Sequence, residues 1–189
     1  MKIILGTASK QRKQVFEEMG DKDFNVLTAE IDEKAIRVDD PKELTIALAK
    51  AKAKELIKHI LEPAILVTAD QVIYWDGTIR EKPKNADQAR EYLSTYYKAP
   101  ALIVNGIAVT NTETGKQVCG NDSTEVIFSE IPEEAIKRIL KECNVSAWAG
   151  GFAVEEPLFK PYIKSIAGTD GSSRGLPKTL TERLIKEVS

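Results

Sequence analysis

Short apolar runs alternate along the chain with longer stretches in which apolar residues recur at helical spacing. The apolar runs predict β-strands at residues 2–5, 24–28, 64–75, 78–82, 101–110 and 123–128. The helical spacing predicts α-helices at residues 10–19, 41–60, 85–97, 132–141 and 177–188. The dipeptide Asp76-Gly77 predicts a two-residue hairpin between the third and fourth strands. Interleaved strands and helices that include hairpins favour an α/β fold with a mixed sheet flanked by helices.

The long predicted helix that follows the N-cap residue Asp40 carries an unusual lysine. At about 100° per residue, Lys52 shares one face of this helix with Leu44 and Leu48. A lysine on a core-facing stripe needs an anionic partner or a route to water. Lys52 is therefore a candidate functional residue. The other interpretation is a lysine of the solvated helix face.

Length and charge exclude several classes of protein. The chain has 189 residues, with 27 lysines and arginines against 29 aspartates and glutamates, for a net charge of −2 at pH 7. This length suits a single domain over residues 1–189. The charge balance argues against nucleic-acid binding through a broad basic surface. The first apolar run is too short for a signal peptide, and no run approaches the ~20 residues that span a bilayer, so we expect a cytoplasmic protein without a membrane partner.

The single histidine limits the kinds of catalytic and metal site that the chain can form. His59 lies among lysines near the end of a predicted helix, a position typical of a solvated side chain. Histidine-based catalysis and three-histidine zinc sites are therefore disfavoured. The two cysteines, Cys119 and Cys143, give little reason to expect a disulfide. Acid–base and metal chemistry is left to carboxylates, lysines and arginines.

The segment GTASKQR at residues 6–12 is a candidate phosphate site. A strand, a turn of small residues and a helix start place free backbone N–H groups at one point, where an anion is favoured. Ser9 is placed to cap the helix, and Arg12, one turn in, is placed to bind phosphate oxygens. The spacing is not that of a Walker loop. The alternative is an ordinary capped helix with a solvated arginine.

Asp70 ends an apolar run that reads as a buried strand, AILVTA. A carboxylate there is costly unless it meets a metal, a cation or several donors, and strand ends of α/β folds are where ligands collect. A structural ion pair is the alternative. The acidic pair Asp32-Glu33 means little alone. The predicted hairpin places Lys82 opposite Gln71, or opposite Asp70 if one strand carries a bulge.

These segments, in this order, resemble the Maf (septum-formation) family of nucleotide pyrophosphatases. The matching segments are IILGTASKQRKQVFEEMG, IDEKAIR, LAKAKA, VTADQVI, EKPKNADQA, AGGFAVE and GLPKTLTERL, and together they extend over nearly the whole chain. Each motif is weak alone, whereas seven in order are fairly specific. The chain departs from the family pattern at Lys10 in place of proline, at Gln11 in place of an arginine and at Asn105 in place of threonine.

The resemblance implies an elongated mixed sheet, similar to that of inosine triphosphate pyrophosphatases, and often a homodimer. It also implies attack of water on the α-phosphorus of a nucleoside triphosphate, with pyrophosphate leaving. Glu33 and Asp70 would hold Mg²⁺ or Mn²⁺, with Asp70 as the better general base. The catalytic set implied is Asp70, Glu33, Lys52 and Lys82, and the last two would bind the triphosphate together with Ser9 and Arg12.

Three further positions, Gln11, Gln71 and Glu155, are implied to select the base. Gln71 and the GFxxE pattern ending at Glu155 resemble the branch of the family that prefers 7-methyl-GTP. Another branch prefers dTTP and UTP. Two other functions stay open at this point: an inosine-triphosphate-type pyrophosphatase, and a nucleotide-binding regulator of cell division without turnover. A phosphate-binding fold with a different chemistry is the remaining alternative.

Overall fold

The structure is a computed structural model that describes residues 1–20 and 23–189. Its strands are β1 (Lys2–Gly6), β2 (Phe24–Leu27), β3 (Ala64–Trp75), β4 (Thr78–Arg80), β5 (Ala101–Asn111), β6 (Gln117–Phe128) and β7 (Ile163–Ala167). Its α-helices are α1 (Lys10–Glu18), α2 (Pro41–Ile57), α3 (Ala86–Leu93), α4 (Glu133–Glu142) and α5 (Lys178–Val188). Single 3₁₀ turns follow several of these elements.

The strands form a mixed sheet in the order β2-β1-β3-β5-β6-β7, with β4 paired to β3. β1 is parallel to both β2 and β3, whereas β4 is antiparallel to β3 and β7 is antiparallel to β6. The α/β class with a mixed sheet is thus confirmed. The described residues group into two compact units. The single-domain organisation over residues 1–189 stays a prediction.

The first unit comprises Met1–Gln71, Asn105–Asp122 and Thr169–Ser189. Its main core includes Leu5, Phe16, Ile65, Ile107 and Leu176, contributed by strands, by α1 and by the segment before α5. On another side, α2 packs against β1 and β3 through Ala53 and Leu56. This packing buries an apolar stripe of α2, and it fixes the position of every other side chain on that helix.

The start of α2 follows the capping rules. Asp40 Oδ1 accepts hydrogen bonds from the backbone N–H groups of Lys42, at 2.7 Å, and of Glu43, at 3.0 Å. Pro41 occupies the first helical position, where no N–H donor is needed. The predicted N-terminus of this helix is therefore confirmed, although the helix ends at Ile57 and not at residue 60.

The second unit comprises Val72–Val104 and Ser123–Gly168. Its core contains an aromatic cluster in which the Tyr96 ring lies 5.4 Å from Phe128 and 5.1 Å from Phe152, measured between centroids. The buried Arg80 guanidinium lies 3.8 Å from the centre of the Trp75 ring and donates to the Tyr92 carbonyl at 3.1 Å. These contacts attach β4 to α3.

Besides the shorter α2 and β4, three elements differ from the sequence-based expectation. The predicted helix at residues 85–97 stops at Leu93, because the Thr95 hydroxyl bonds back to the Glu91 carbonyl at 2.9 Å and a separate 3₁₀ turn begins at Tyr96. β6 begins at Gln117 and not at residue 123, since its first half is polar and lacks an apolar pattern. β7 was not predicted, because its short sequence, IKSIA, is mostly exposed.

Candidate active site

Lys52 of α2 joins two carboxylates that are far apart in the sequence. Its Nζ lies 2.5 Å from Asp70 Oδ1 and 2.7 Å from Glu33 Oε1. The Lys52 side chain is 13% exposed, so the predicted inward-facing position is confirmed. Glu33 and Asp70, the residues expected to hold a divalent metal, both contact the Lys52 ammonium, and the metal site itself stays a prediction. All three residues belong to the first unit.

Asp70 is the most deeply buried member of this cluster. It lies in β3 after an apolar run, and only 7% of its surface is exposed. Desolvation raises the pKa of Asp70 above its ordinary value, and the positive charges of Lys52 and Arg12 oppose that rise. A carboxylate with a raised pKa holds a proton more tightly, as a general base must.

Glu33 reaches the cluster from an exposed turn. Asp32 Oδ1 accepts a hydrogen bond from the backbone N–H of Lys34 at 3.1 Å, which caps the 3₁₀ turn Glu33–Ala35. The two members of the acidic pair therefore have different tasks, because Asp32 caps while Glu33 extends to Lys52. The Glu33 side chain is 53% exposed, so it is the carboxylate of the cluster that solvent reaches most readily.

The turn after β1 places Ser9 at the start of α1. Ser9 Oγ accepts from the backbone N–H of Arg12 at 3.3 Å, and Ser9 N–H donates to Thr7 Oγ1 at 3.1 Å. The predicted cap is confirmed. Gln11 lies in the first turn of α1 and is partly exposed. The strand–turn–helix arrangement leaves first-turn N–H groups at the helix N-terminus, where an anion is favoured.

Arg12 is held more firmly by the protein than the sequence suggests. Its Nε donates to the Gly175 carbonyl at 3.0 Å and one terminal nitrogen donates to the Ala69 carbonyl at 2.7 Å. Burial lowers the pKa of Arg12, and the negative charges of Asp70 and Glu33 oppose this. A guanidinium has five N–H donors, so these two bonds fix its orientation and leave further donors.

A buried polar network continues from the end of β3. Gln71 Nε2 donates to Asn105 Oδ1 at 3.2 Å, and Asn105 Nδ2 donates to the Ser172 carbonyl at 2.8 Å. Ser172 Oγ in turn donates to Asp122 Oδ1. Sequence reasoning noted Asn105 only as a departure from a family pattern and did not identify Ser172 or Asp122. The available signal was an amide inside the apolar run of residues 101–109.

The two remaining predicted residues, Lys82 and Glu155, belong to the second unit. The register of the β3–β4 hairpin, Trp75 opposite Thr78 and Ile73 opposite Arg80, confirms the two-residue turn. The paired part of β4 ends at Arg80, and Lys82 lies exposed just after it. Glu155 is exposed in a turn after buried Val154. The roles of Lys82 and Glu155 stay predictions.

The donor chemistry of the cluster fits a hard divalent cation. Within residues 1–20 and 23–189, no three side chains of histidine, cysteine, aspartate or glutamate converge as a metal site. Mg²⁺, however, is commonly held by only one or two protein carboxylates, with phosphate oxygens and water completing the coordination. Glu33 and Asp70 supply that number of carboxylates.

In the described part of the chain, no helix has the length and apolar character needed to cross a bilayer.

Comparison with known proteins identifies relatives along the whole chain. It is 43% identical over 99% of its length to a 7-methyl-GTP pyrophosphatase of Dictyostelium discoideum, covering 97% of that protein. It is 33% identical to a 7-methyl-GTP pyrophosphatase of Idiomarina loihiensis, covering 93% of this chain and 88% of the relative. It is 32% identical to a dTTP/UTP pyrophosphatase of Clostridium perfringens strain 13, covering 94% and 92%.

A solved structure, a nucleoside-triphosphatase / dITP/XTP pyrophosphatase of Mycobacterium abscessus, is 13% identical, with a TM-score of 0.43 over 99% of this chain and 96% of that one. That similarity is too low to support a conclusion. The family profile described as Maf-like protein matches residues 2–188. On that match and on the 43% identity to a curated relative, the chain belongs to the Maf-like protein family.

Proposed function

We propose that this protein hydrolyses nucleoside triphosphates to the monophosphate and pyrophosphate, with Mg²⁺ or Mn²⁺ as cofactor. The observation that carries the proposal is the cluster in which the mostly buried Lys52 contacts both the buried Asp70 and the more exposed Glu33. The Maf-like family match and the names of the relatives, all pyrophosphatases of nucleoside triphosphates, support the same reaction.

In the proposed reaction, water attacks the α-phosphorus, the bond from that phosphorus to the α–β bridging oxygen breaks, and pyrophosphate leaves. Asp70 accepts the proton of the attacking water, which suits a carboxylate whose pKa is raised by burial. Lys52 and Arg12 bind phosphate oxygens and stabilise the negative charge that develops on transfer. When bound, the divalent ion supplies charge neutralisation and water activation, and Glu33 and Asp70 would hold it.

Ser9 and Lys82 complete the proposed phosphate-binding set. Ser9 already caps α1, so its place at the helix N-terminus suits a phosphate bound by first-turn N–H groups. Lys82 follows the hairpin β3–β4, and we propose that its ammonium contacts the triphosphate. Gln11, Gln71 and Glu155 are proposed to select the base.

We propose 7-methyl-GTP as the preferred substrate class, with dTTP and UTP as the alternative. The relative at 43% identity is named a 7-methyl-GTP pyrophosphatase, whereas the relatives named dTTP/UTP pyrophosphatases are at 32% identity or lower among those compared. A carboxylate at Glu155 also suits a methylated guanine, since that ring carries positive charge and N–H donors.

The test is a panel of nucleotides with Mg²⁺ or Mn²⁺, in which pyrophosphate release is measured. We expect release from 7-methyl-GTP to exceed that from GTP, ITP, dTTP and UTP, and to stop when EDTA removes the metal. Release that is fastest from dTTP and UTP would overturn the base preference alone. Binding of nucleotides without any release would overturn the reaction and favour a nucleotide-binding regulator.

The family resemblance also motivates two proposals about the state of the protein in the cell. We propose that it works as a homodimer and that it is cytoplasmic. Size-exclusion chromatography with light scattering tests the first, because a dimer of the 20.9 kDa chain has twice its mass. Fractionation of cells that express the tagged protein tests the second.

A further inference from the structure

A series of hydrogen bonds in the first unit fixes which end of the Gln71 amide faces away from that series. The series begins at the carboxylate of Asp122, which can only accept hydrogen bonds. Ser172 Oγ donates its proton to Asp122 Oδ1, and Thr169 Oγ1 donates to Asp122 Oδ2 at 3.0 Å. An ionised carboxylate has no proton to donate, so the Ser172 hydroxyl must be the donor.

Because the Ser172 hydroxyl donates its proton to Asp122, it determines the orientation of Asn105. Asn105 is fully buried, and its Nδ2 lies 3.1 Å from Ser172 Oγ and 2.8 Å from the Ser172 carbonyl oxygen. Both oxygens are available only as acceptors for this contact. The amide nitrogen of Asn105 must therefore face Ser172, and its oxygen, Oδ1, must face the opposite way.

The orientation of Asn105 then determines that of Gln71. Asn105 Oδ1 lies 3.2 Å from Gln71 Nε2, and the Ser173 carbonyl oxygen lies 3.5 Å from the same nitrogen. Both partners accept and neither can donate. If the Gln71 amide were flipped, its Oε1 would face Asn105 Oδ1 and the Ser173 carbonyl oxygen, which are also acceptors. Only the orientation with Nε2 toward them allows hydrogen bonds. Gln71 Oε1 is the end of the amide that remains for another donor.

We propose that Asn105 is a positioning residue that acts through Gln71. Anchored by Ser172 and Asp122, it makes Gln71 present an acceptor and not a donor to the bound nucleotide, so this position selects nucleotides with an N–H or O–H group there. The inference rests on the proposed function in one respect, that Gln71 contacts the nucleotide. The donor comes from one of two sources, an N–H on the edge of the base or a hydroxyl of the ribose.

The experiment compares binding of three non-hydrolysable α,β-methylene triphosphates by calorimetry. The first is the analogue of the best nucleotide of the panel. The second carries a methyl group on the ring nitrogen that bears the base N–H, and the third lacks both ribose hydroxyls. We expect one of the two modified analogues to bind the wild type about tenfold more weakly than the parent, which identifies the source of the donor.

Asn105→Thr provides the central variant, because a hydroxyl can donate or accept and no longer forces one orientation of Gln71. We expect the tenfold preference to fall to about twofold or less. In a Gln71→Leu background, Asn105→Thr should change the preference no further. Asn111→Thr is the matched control: Asn111 is a buried amide of the same strand, bonded to the Val188 carbonyl, and its loss should leave the preference intact.

The outcomes separate this inference from the proposed function. An unchanged preference in Asn105→Thr, or equal weakening of all three analogues, overturns the positioning role. A wild-type protein that binds both modified analogues as tightly as the parent analogue overturns it too. Tight binding of the parent without pyrophosphate release from the hydrolysable nucleotide overturns the proposed function alone, while the preference still tests the role of Asn105. A protein that binds no nucleotide overturns both.

A second measurement covers the case in which Asn105→Thr does not fold. In the nucleotide-free wild type, the Nε2 protons of Gln71 should exchange with solvent more slowly than those of Gln14, which is exposed on α1. Nuclear magnetic resonance of the side-chain amides measures both rates. Exchange of the Gln71 protons as fast as that of Gln14 overturns the proposed orientation.

Discussion

Lys52 and Asp70 form a buried ion pair in which the ammonium lies 2.5 Å from the carboxylate oxygen and neither side chain is more than 13% exposed. Burial of the two charges carries a desolvation free energy that their mutual attraction offsets only in part. The pair is therefore weak evidence of a contribution to stability. Removing Lys52 is more harmful than removing the charge of Asp70, because without the lysine the Asp70 carboxylate stays buried, whereas without that carboxylate the ammonium keeps Glu33 at 2.7 Å. We propose that the pair serves the chemistry of the site and not the stability of the fold.

Replacement of Lys52 tests whether the cluster depends on its cation. In Lys52→Met the two carboxylates lose the positive charge that they share, and the pKa of Asp70, already raised by burial, should rise further. We expect pyrophosphate release to fall by about a hundredfold or more, since one fewer cation stabilises the transition state. Steady-state kinetics with the best nucleotide measures the loss.

Lys54→Met is the matched control, because Lys54 is an exposed lysine of the same helix. It should keep kcat and KM within about twofold of wild type, as expected for a surface position. Equal loss in both variants would show that α2 tolerates no such substitution and would contradict a specific role for Lys52.

Asp70→Asn separates the chemistry of Asp70 from its packing. The amide has nearly the same shape but cannot accept the proton of the attacking water, so we expect pyrophosphate release to be abolished. Removal of a charge whose burial raises its pKa should leave the melting temperature equal to that of wild type or higher. Calorimetry and the release assay are measured on the same preparation. Normal turnover in this variant would remove Asp70 from the mechanism.

Much of the fold follows from local rules. The hairpin at Asp76-Gly77 was predictable because both residues adopt positive φ, 45° and 77°, as a type I′ turn requires. The inward face of Lys52 followed from helical periodicity, and the caps at Ser9 and Asp40 followed from the residues themselves. Each of these depends on a few neighbouring residues.

The polar network behind the candidate site was not predictable in the same way. Asn105 and Ser172 are 67 residues apart, and Gln71 is 34 residues before Asn105. No spacing or periodicity links such positions, because β3 and β5 become neighbours only in the folded sheet and Ser172 reaches Asn105 from a turn before α5. The hydrogen bonds from Arg12 to the Gly175 and Ala69 carbonyl oxygens were not predicted for the same reason.

Gly106 determines how closely α2 approaches β5. An ideal Cβ at this position would lie 2.6 Å from the backbone nitrogen of Ile46 in α2, closer than real atoms allow. Gly106→Ala should therefore displace the helix and destabilise the protein by about 1–3 kcal/mol or more, as overpacking does. It should also lower kcat, because α2 carries Lys52. Denaturant unfolding and the release assay measure the two effects.

Gly77→Ala is the contrasting control for this prediction. Nothing lies within 4 Å of a Cβ at Gly77, and its φ of +77° makes backbone strain the source of any cost. We expect a loss of about 1 kcal/mol in stability and no change in kcat. A loss of activity in Gly77→Ala as large as that in Gly106→Ala would contradict the role given to helix approach.

Glu18 makes acid sensitivity of the first unit testable. Hydrogen bonds from Arg174 and Lys178 lower the pKa of Glu18 from 4.5 to about 2. Because the folded-state pKa is the lower one, the stabilisation is present above about pH 4.5 and is lost as the pH falls toward about 2. In Glu18→Gln this contribution is absent at every pH, so the difference in unfolding free energy between wild type and variant should shrink steadily over that window.

Denaturant unfolding at pH 7, 4 and 2.5 measures this difference, and 1 M NaCl should reduce it at pH 7, since the three side chains are close to the surface. Glu17→Gln is the matched control, because the ion pair of Glu17 with Lys13 is a long contact, 3.9 Å, between exposed side chains of the same helix. A difference for Glu18→Gln that is as large at pH 2.5 as at pH 7 would mean that the substitution acts through packing. The charges of Arg174 and Lys178 would then contribute nothing measurable at this position.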